Sequence, residues 1–384
     1  MSVHPLADIT VLEIGQFIAA PYAAMTLCDL GARVIKIEPP EGDAMRRWGP
    51  YPGGESGPYM TYNRGKESVI ADIRAAEGQA LVSSLFERVD IVIENNRPGV
   101  LQRYGLDAAA ARERSPSLIY CSISGFGAEA PDAGRAAFDL VIQAVTGIMS
   151  VTGEEGRPTV KVGVPIVDGT AALHAVTAIL AAVHEREKTG EGATIDISLQ
   201  ASSMTWMMLL AAGYFATGEE PKRLGSAHPL AAPYQAFRAR DGELTMAVGN
   251  DGQWQRLLEL VDAPELLADV RFATSTRRAE NQNALAVIIE RYLQQDTVSG
   301  WLARLKSAGI PSEAVKTLGA AVEDAALAAR GTIESFEHPL AGAVKTIGNP
   351  ILFDGKNAPV RRPPLLGEHT QKVLGEAASV VTPS

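Results

Sequence analysis

The sequence predicts an α/β protein in which a large domain built on a parallel sheet is joined to a smaller α+β domain. Three observations lead there. The first 125 residues alternate short apolar runs with helical segments, the pattern of strands linked by crossover helices. Those runs are continuous rather than alternating, as in strands covered on both faces. After about Gly218 the texture changes: Pro221, Pro229 and Pro233 punctuate the chain, and a turn, a strand and three helical segments follow. A length of 384 residues accommodates two or three domains at roughly 150 residues each. The expected division is a large domain of residues 1–200 and 330–384, a small one of 225–315, and connections at 201–224 and 316–329.

Taken in order, Ile9–Ile14 is a β-type run. Gly15 follows, and Ala19–Leu30 reads as a helix with Pro21 in its first turn and Gly31 at its end. Val34–Ile37 is the next strand, stopped by Pro39-Pro40. Gly42–Gly65, rich in Gly, Pro and Tyr, reads as a long ordered loop. Glu77–Arg88 is a helix, and Val89–Ile93 and Leu118–Ile123 are strands. Residues 139–149 and 169–188 are expected to be helical, Gly190-Glu191-Gly192 closes the second, and Thr194–Leu199 is a strand. In the smaller domain Asp241–Val248 is a turn leading into a strand, and helices are expected at 253–260, 281–294 and 297–308. The tail returns to strands at Val344–Ile347 and Ile351–Phe353.

Composition removes several function classes. Lys plus Arg number 35 against 45 Asp plus Glu, a net charge of −10, the wrong sign for a general nucleic-acid binder. Cys28 and Cys121 sit in apolar stretches and form no CxxC pair, so they read as buried thiols of a reduced, cytoplasmic protein. The six histidines show no ligand spacing, and no metal is expected. Met1–Asp8 lacks the basic and apolar regions of a signal peptide. Residues 197–218 carry no charge and match a membrane span in length, but they begin as a strand, include Gln200, Ser202, Ser203 and Thr205, and lack basic flanks. They are expected to form a strand and then a buried helix, with no membrane partner.

The opening β-α-β unit invites a dinucleotide reading, with Glu38 where an acid would take a ribose hydroxyl. The turn that follows the first strand argues against it. Gly15-Gln16-Phe17-Ile18-Ala19-Ala20-Pro21 has one glycine and two bulky residues, so the backbone cannot approach a pyrophosphate as G-x-G-x-x-G does. The topology is Rossmann-like and NAD is not expected. No P-loop and no G-x-S-x-G elbow occurs. The informative segment is Val164–Thr170, an apolar strand-like run ending at Asp168 before a long Ala-rich helix. Asp168 is suited to cap that helix. There the dipole and free amides would keep it ionised, and Gly169 leaves room for a bulky partner, so it is a candidate nucleophile toward an activated acyl group. Asp139 is a second carboxylate placed to cap a helix.

Five segments add a resemblance. They are Pro5–Glu13 (PLADITVLE), Asp29–Asp43 (DLGARVIKIEPPEGD), Asn63–Ser68 (NRGKES), Glu94–Val100 (ENNRPGV) and Pro364–Thr370 (PLLGEHT). In this order and spacing the chain resembles, over nearly its whole length, the class III CoA-transferases. That group holds formyl-CoA transferase and carnitine CoA-transferase and also the α-methylacyl-CoA racemases. The resemblance implies a Rossmann-like large domain, a smaller domain and an interlocked homodimer. It implies an acyl-CoA donor and a carboxylic acid acceptor, with coenzyme A passing between them. Asp168 would be the nucleophile, forming an aspartyl anhydride and then an aspartyl-CoA thioester. The alternative is a racemase or epimerase of the same family, which uses a His-Asp pair; here that pair is Phe138-Asp139, and phenylalanine cannot exchange a proton. Asp139 matches a position that is acidic in both branches.

The resemblance also carries over coenzyme A contacts. The loop after the first strand maps to Phe17, Ile18 and Ala19. The adenine and phosphate region maps to Ala71, Asp72, Arg74, Asn95, Asn96, Arg103 and Tyr104, with Arg74 and Arg103 suited to phosphate. Formyl-CoA transferases have Gln where Ile18 stands, which speaks against formyl-CoA and oxalate as the pair, and a family Arg is Pro39 here. Arg46, Arg47, Trp48 and Tyr59 lie in the loop that lines the family's acyl pocket, where an Arg would hold the distal carboxylate of a dicarboxylic acid. The glycine-rich loop of formyl-CoA transferases is replaced by Leu224–Pro229 with one Gly, where His228 is a further acyl-pocket candidate.

Overall fold

A computed structural model describes residues 4–131 and 133–378. The chain divides into two compact units. The larger holds the residues up to Ile148, Lys161–Thr217 and those from Ala325 onward; the smaller holds Met149–Val160 and Gly218–Asp324. The boundary therefore falls later than the expected 200, because residues 199–217 continue the larger unit as helices.

The larger unit begins β1 (Thr10–Ile14), α1 (Ala19–Asp29), β2 (Arg33–Glu38), α2 (Gly57–Tyr62), β3 (Glu67–Ile70), α3 (Ala76–Leu85), β4 (Ile91–Glu94), α4 (Ala108–Arg114), β5 (Ile119–Ser124) and α5 (Asp139–Val145). The chain leaves through α6 (Ile148–Val151) and returns with α7 (Ile166–Thr189), β6 (Thr194–Ser198), α8 (Leu199–Met204) and α9 (Met208–Thr217). The six strands form one parallel sheet in the order β3-β2-β1-β4-β5-β6. The order reverses between β1 and β4, and the crevice outside the carboxyl ends of such a pair is where this architecture takes its ligand.

Side-chain alternation along the strands divides the core. Val11, Ile91, Ile93, Cys121 and Ile123 pack with α1 and α7 on one face. Leu12, Ile35, Ile37, Val69 and Val92 pack with Val82, Leu85 and Phe86 on the other. Gly31 (φ +106°) closes α1 in the left-handed region, as expected of a helix-ending glycine. The carboxyl end of the sheet is tied by buried ion pairs. Glu13 pairs with both Lys36 and Lys66 at 2.6 Å, and Lys36 also pairs with Asp43 at 2.9 Å. Burial would discharge both lysines. The carboxylates Asp43, Glu13 and Glu38 overcome it for Lys36, whose pKa is raised, whereas Lys66 falls to about 8.

In the smaller unit β7 (Tyr234–Arg238), β8 (Glu243–Ala247) and β9 (Ser312–Ala314) form an antiparallel sheet. Between β8 and β9 come α10 (Asp251–Val261), α11 (Glu265–Ala268), α12 (Ser275–Glu280), α13 (Gln282–Leu293) and α14 (Val298–Ser307), and α15 (Leu318–Val322) follows β9. Their core joins Leu244 and Met246 to Trp254, Leu258, Ile289 and Trp301. The chain then re-enters the larger unit with α16 (Ala325–Ala329), the hairpin β10 (Ile333–His338) and β11 (Gly342–Ile347), and α17 (Thr370–Ala378).

Several expectations are corrected. β3 was not foreseen. The loop over Gly42–Gly65 contains α2, capped by Ser56, whose hydroxyl accepts the Tyr59 N–H at 3.2 Å. The run at 164–168 is not a strand: α7 starts at Ile166, so Asp168 lies inside its first turn. After β6, residues 199–217 form two helices rather than one buried helix, and α9 has no buried residue. Ile351–Phe353 makes one isolated bridge, Phe353 with Lys356, and no strand. α7 is long and apolar enough to cross a membrane, but Val167, Ala171, Ala172, Ala175 and Ile179 pack in the core beside α1.

Candidate active site

At the switch point, the turn after β1 lies beside the Asn95-Asn96 pair that follows β4. Asn95 grips Gln16 from both sides: Oδ1 accepts its N–H at 2.9 Å and Nδ2 donates to its carbonyl at 2.8 Å. Asn96 Nδ2 donates to the Ile14 carbonyl at 2.9 Å. Gly15 is required here, since a Cβ would stand 2.6 Å from that of Ala20. Phe17 takes φ +63°, a costly conformation for a bulky residue. It is held by the Asp43 carboxylate, which accepts its N–H at 3.4 Å, and by ring contacts to Trp48 (5.4 Å) and Phe138 (6.0 Å, edge-on). The bend delivers Ile18 and Ala19 to the start of α1, where helix geometry leaves the first amides free.

A cavity of about 600 Å³ opens at this point. Phe17, Ile18, Ala19, Trp48, Asn95, Asn96, Phe138, Asp139 and Asp168, all singled out from the sequence, line it. Among the described residues its charged groups are three cations, Arg97, Arg135 and Lys161, and the two carboxylates. A second cavity of about 230 Å³ is lined by Ala71, Asp72, Arg74 and Tyr104, and Asn96 lines both. The coenzyme A candidates other than Arg103 thus line two cavities that share Asn96. Arg74 itself pairs with Asp72 (2.7 Å) and is exposed. Arg103 is exposed and lines neither cavity.

The two carboxylates have different environments. Asp139 opens α5; its Oδ2 accepts the backbone N–H of Val167 at 2.9 Å, and its Oδ1 accepts from Gln143 Nε2 at 2.5 Å. It therefore caps α7 rather than its own helix. Asp168, one residue further along, has no side-chain hydrogen bond among the described residues. Burial, and then the charge of Asp139, raise its pKa from the usual carboxylate value to about 7. The start of the helix therefore does not by itself hold this carboxyl in the usual carboxylate range. A Cβ on Gly169 would meet Tyr22 at 3.8 Å, an ordinary contact.

Four acyl-pocket candidates lie elsewhere. Arg46 forms a fork on the buried Glu38 (2.7 and 2.8 Å), donates to Tyr59 Oη at 2.6 Å, and lies 3.6 Å over the Tyr59 ring. Burial would raise Glu38, but Arg46 and Lys36 hold it down at about 2. Arg46 and the fully buried Tyr59 are structural, because a buried Glu38 must be answered by a fixed cation. Arg47 is exposed and lines no part of the cavity. His228 belongs to the smaller unit, where it stacks on Tyr234 (5.0 Å) and its Nδ1 accepts from Leu230 N. Sequence reasoning missed Gln16, Gln143, Arg97, Arg135 and Lys161. Only Gln143 carried a local signal, standing four residues after Asp139 on one helix face.

A switch-point cleft with a half-buried aspartate and a second cavity beside it is suited to acyl chemistry on a large carrier. The family model for CoA-transferase family III matches residues 6–370, and the chain belongs to that family. It is 34% identical to the human succinyl-CoA:glutarate CoA-transferase over 98% of this chain and 86% of that one. It is 36% identical to succinate–glutarate CoA-transferase of Agrobacterium fabrum, over 98% and 96%. A CAIB/BAIF family protein from Brucella suis shares the fold with a TM-score of 0.86 at 39% identity, covering 97% of this chain and 99% of that one. The protein is a CoA-transferase, an enzyme that moves coenzyme A between carboxylic acids and uses CoA thioesters as substrates.

Proposed function

We propose that the enzyme transfers coenzyme A from a dicarboxylic acyl-CoA such as succinyl-CoA to a second carboxylic acid, with Asp168 as the nucleophile. The observation that carries this reading is the Asp168 carboxylate in the large switch-point cavity, without a side-chain hydrogen bond among the described residues, in a chain related to transferases named for succinate and glutarate. Ionised Asp168 attacks the thioester carbonyl, the C–S bond breaks, and CoA leaves as thiolate, giving an aspartyl anhydride. The thiolate attacks the aspartyl carbonyl, the donor acid departs as carboxylate, and an aspartyl-CoA thioester remains. The acceptor carboxylate attacks that thioester, and the same two steps run in reverse to release the new acyl-CoA and free Asp168. No net proton is taken up or lost. The free amides at the start of α1 are suited to the oxyanions, and the cavity lined by Asn96 and Arg74 to the nucleotide end of coenzyme A.

The assembly belongs to the same proposal: an interlocked homodimer, as in the family. What supports it is a group of exposed large apolar side chains, with Leu173, Trp206, Met208, Leu209 and Phe215 between 51% and 83% exposed on α7, α9 and the turn between α8 and α9.

Trapping tests the mechanism. Incubation with succinyl-CoA followed by hydroxylamine should convert Asp168 to its hydroxamate, seen as a mass change on the peptide that contains it. Absence of any adduct with several acyl-CoAs, while transfer proceeds, would refute the covalent route.

A further inference from the structure

The reading of Arg46 as the holder of a distal carboxylate leaves that role open, and the cavity offers another group for it. Lys161 lines the Asp168 cavity and is exposed to solvent within it. Its ammonium donates to the neighbouring Val162 carbonyl at 3.1 Å and meets no carboxylate among the described residues. Of the other two cations, Arg135 lies over the Phe126 ring at 5.1 Å, and Arg97 directly follows the Asn95-Asn96 pair, where it also lines a neighbouring cavity with Glu94 and Asp107.

Lys161 is also fixed relative to Asp168. The fully buried Gln143 accepts the Val162 N–H through Oε1 at 2.8 Å and donates through Nε2 to Asp139, which in turn accepts the Val167 N–H. One carboxamide and one carboxylate thus pin both ends of the segment from Val162 to Val167. Lys161 stands immediately before it and Asp168 immediately after it. A cation and a nucleophile held at the two feet of one arch can grip two ends of a short diacid. We infer that Lys161 is a specificity-determining residue, binding the distal carboxylate of a dicarboxylic acyl group whose other end is joined to Asp168. This inference rests on Asp168 as the transfer site.

The test is a competition between glutarate and pentanoate, in which a methyl group replaces the second carboxylate, for the same CoA-loaded enzyme form. Because both acceptors meet that one form, their ratio of kcat/KM does not depend on the donor. The wild-type enzyme should prefer glutarate, and Lys161→Met should reduce the preference by about 10- to 100-fold, the worth of one charge-assisted contact. Lys161→Arg should restore part of it. An unchanged ratio in Lys161→Met, or a wild-type enzyme indifferent to the second carboxylate, would overturn the inference. A wild-type enzyme that forms no hydroxamate at Asp168 would instead remove the reading beneath it. Unfolding midpoints of the variants control for folding.

Discussion

The Asp139 carboxylate accepts the N–H of Val167, so the residue that raises the pKa of Asp168 also anchors the helix on which Asp168 sits. One side chain thus bears on both the position of its neighbour and, after burial, its charge. The two effects can be separated, because Asn in place of Asp139 retains an oxygen acceptor and loses the charge.

The nucleophile acts as a carboxylate, so kcat/KM should rise with pH through about 7 in the wild-type enzyme. Asp139→Asn removes a negative charge that disfavours ionisation of Asp168. The rising limb should therefore move to lower pH, and the variant should exceed the wild-type enzyme in relative activity on the acid side. Profiles measured with one donor and one acceptor decide this. A limb at unchanged pH would show that the Asp139 charge does not act on Asp168.

Arg46→Met should destabilise the fold by about 3 kcal/mol or more, since it leaves the Glu38 carboxylate buried beside a hydrocarbon. The sign with pH follows from the depressed pKa of Glu38. Its ionised form stabilises the fold above about 4.5, and that stabilisation is lost as pH falls toward about 2. The gap between wild type and variant should thus be full at pH 7 and narrow in acid, as read from urea titrations. In the cold, where the variant remains folded, its KM for glutarate should stay within about twofold of wild type; a large rise would return Arg46 to the substrate.

Phe215→Asp places a charge on the most exposed large apolar side chain of α9. If that face is covered by a second copy, light scattering should give about twice the chain mass for the wild-type protein and a shift toward single chains for the variant. Identical masses would move the interface elsewhere.

Much of this was legible in the residues. Continuous apolar runs announced β1, β2, β4 and β5, and Gly31 marked the end of α1. β3 was not legible, because Glu67–Ile70 is four residues long with two apolar members and becomes a strand only by pairing with β2. That Asp168 stands at the start of a long helix was legible, and what raises its pKa was not. The helix start alone favours the charged form, but burial and Asp139 act from elements distant in sequence. Arg46 misled for a similar reason. An arginine in a loop reads as available, and only the fold reveals that Glu38, eight residues earlier, already occupies it. The Asn95 grip on Gln16 joins residues 79 apart and had no local signature.

The division of the larger unit has a consequence for biosynthesis. The Gly65 N–H donates to the Arg362 carbonyl, the His369 N–H to that of Ser68, and the Ile70 N–H to Thr370 Oγ1, the last across 300 positions. On the ribosome, the β3 side of the sheet emerges early and waits for these partners while the whole smaller unit is made. A chain stalled before residue 361 would carry an uncovered strand edge and an unfilled seam where Val373 belongs. Nascent chains of this protein thus pass through a period of exposure that ends only once residues 361–373 have been added, and that is the interval in which a chaperone would find them.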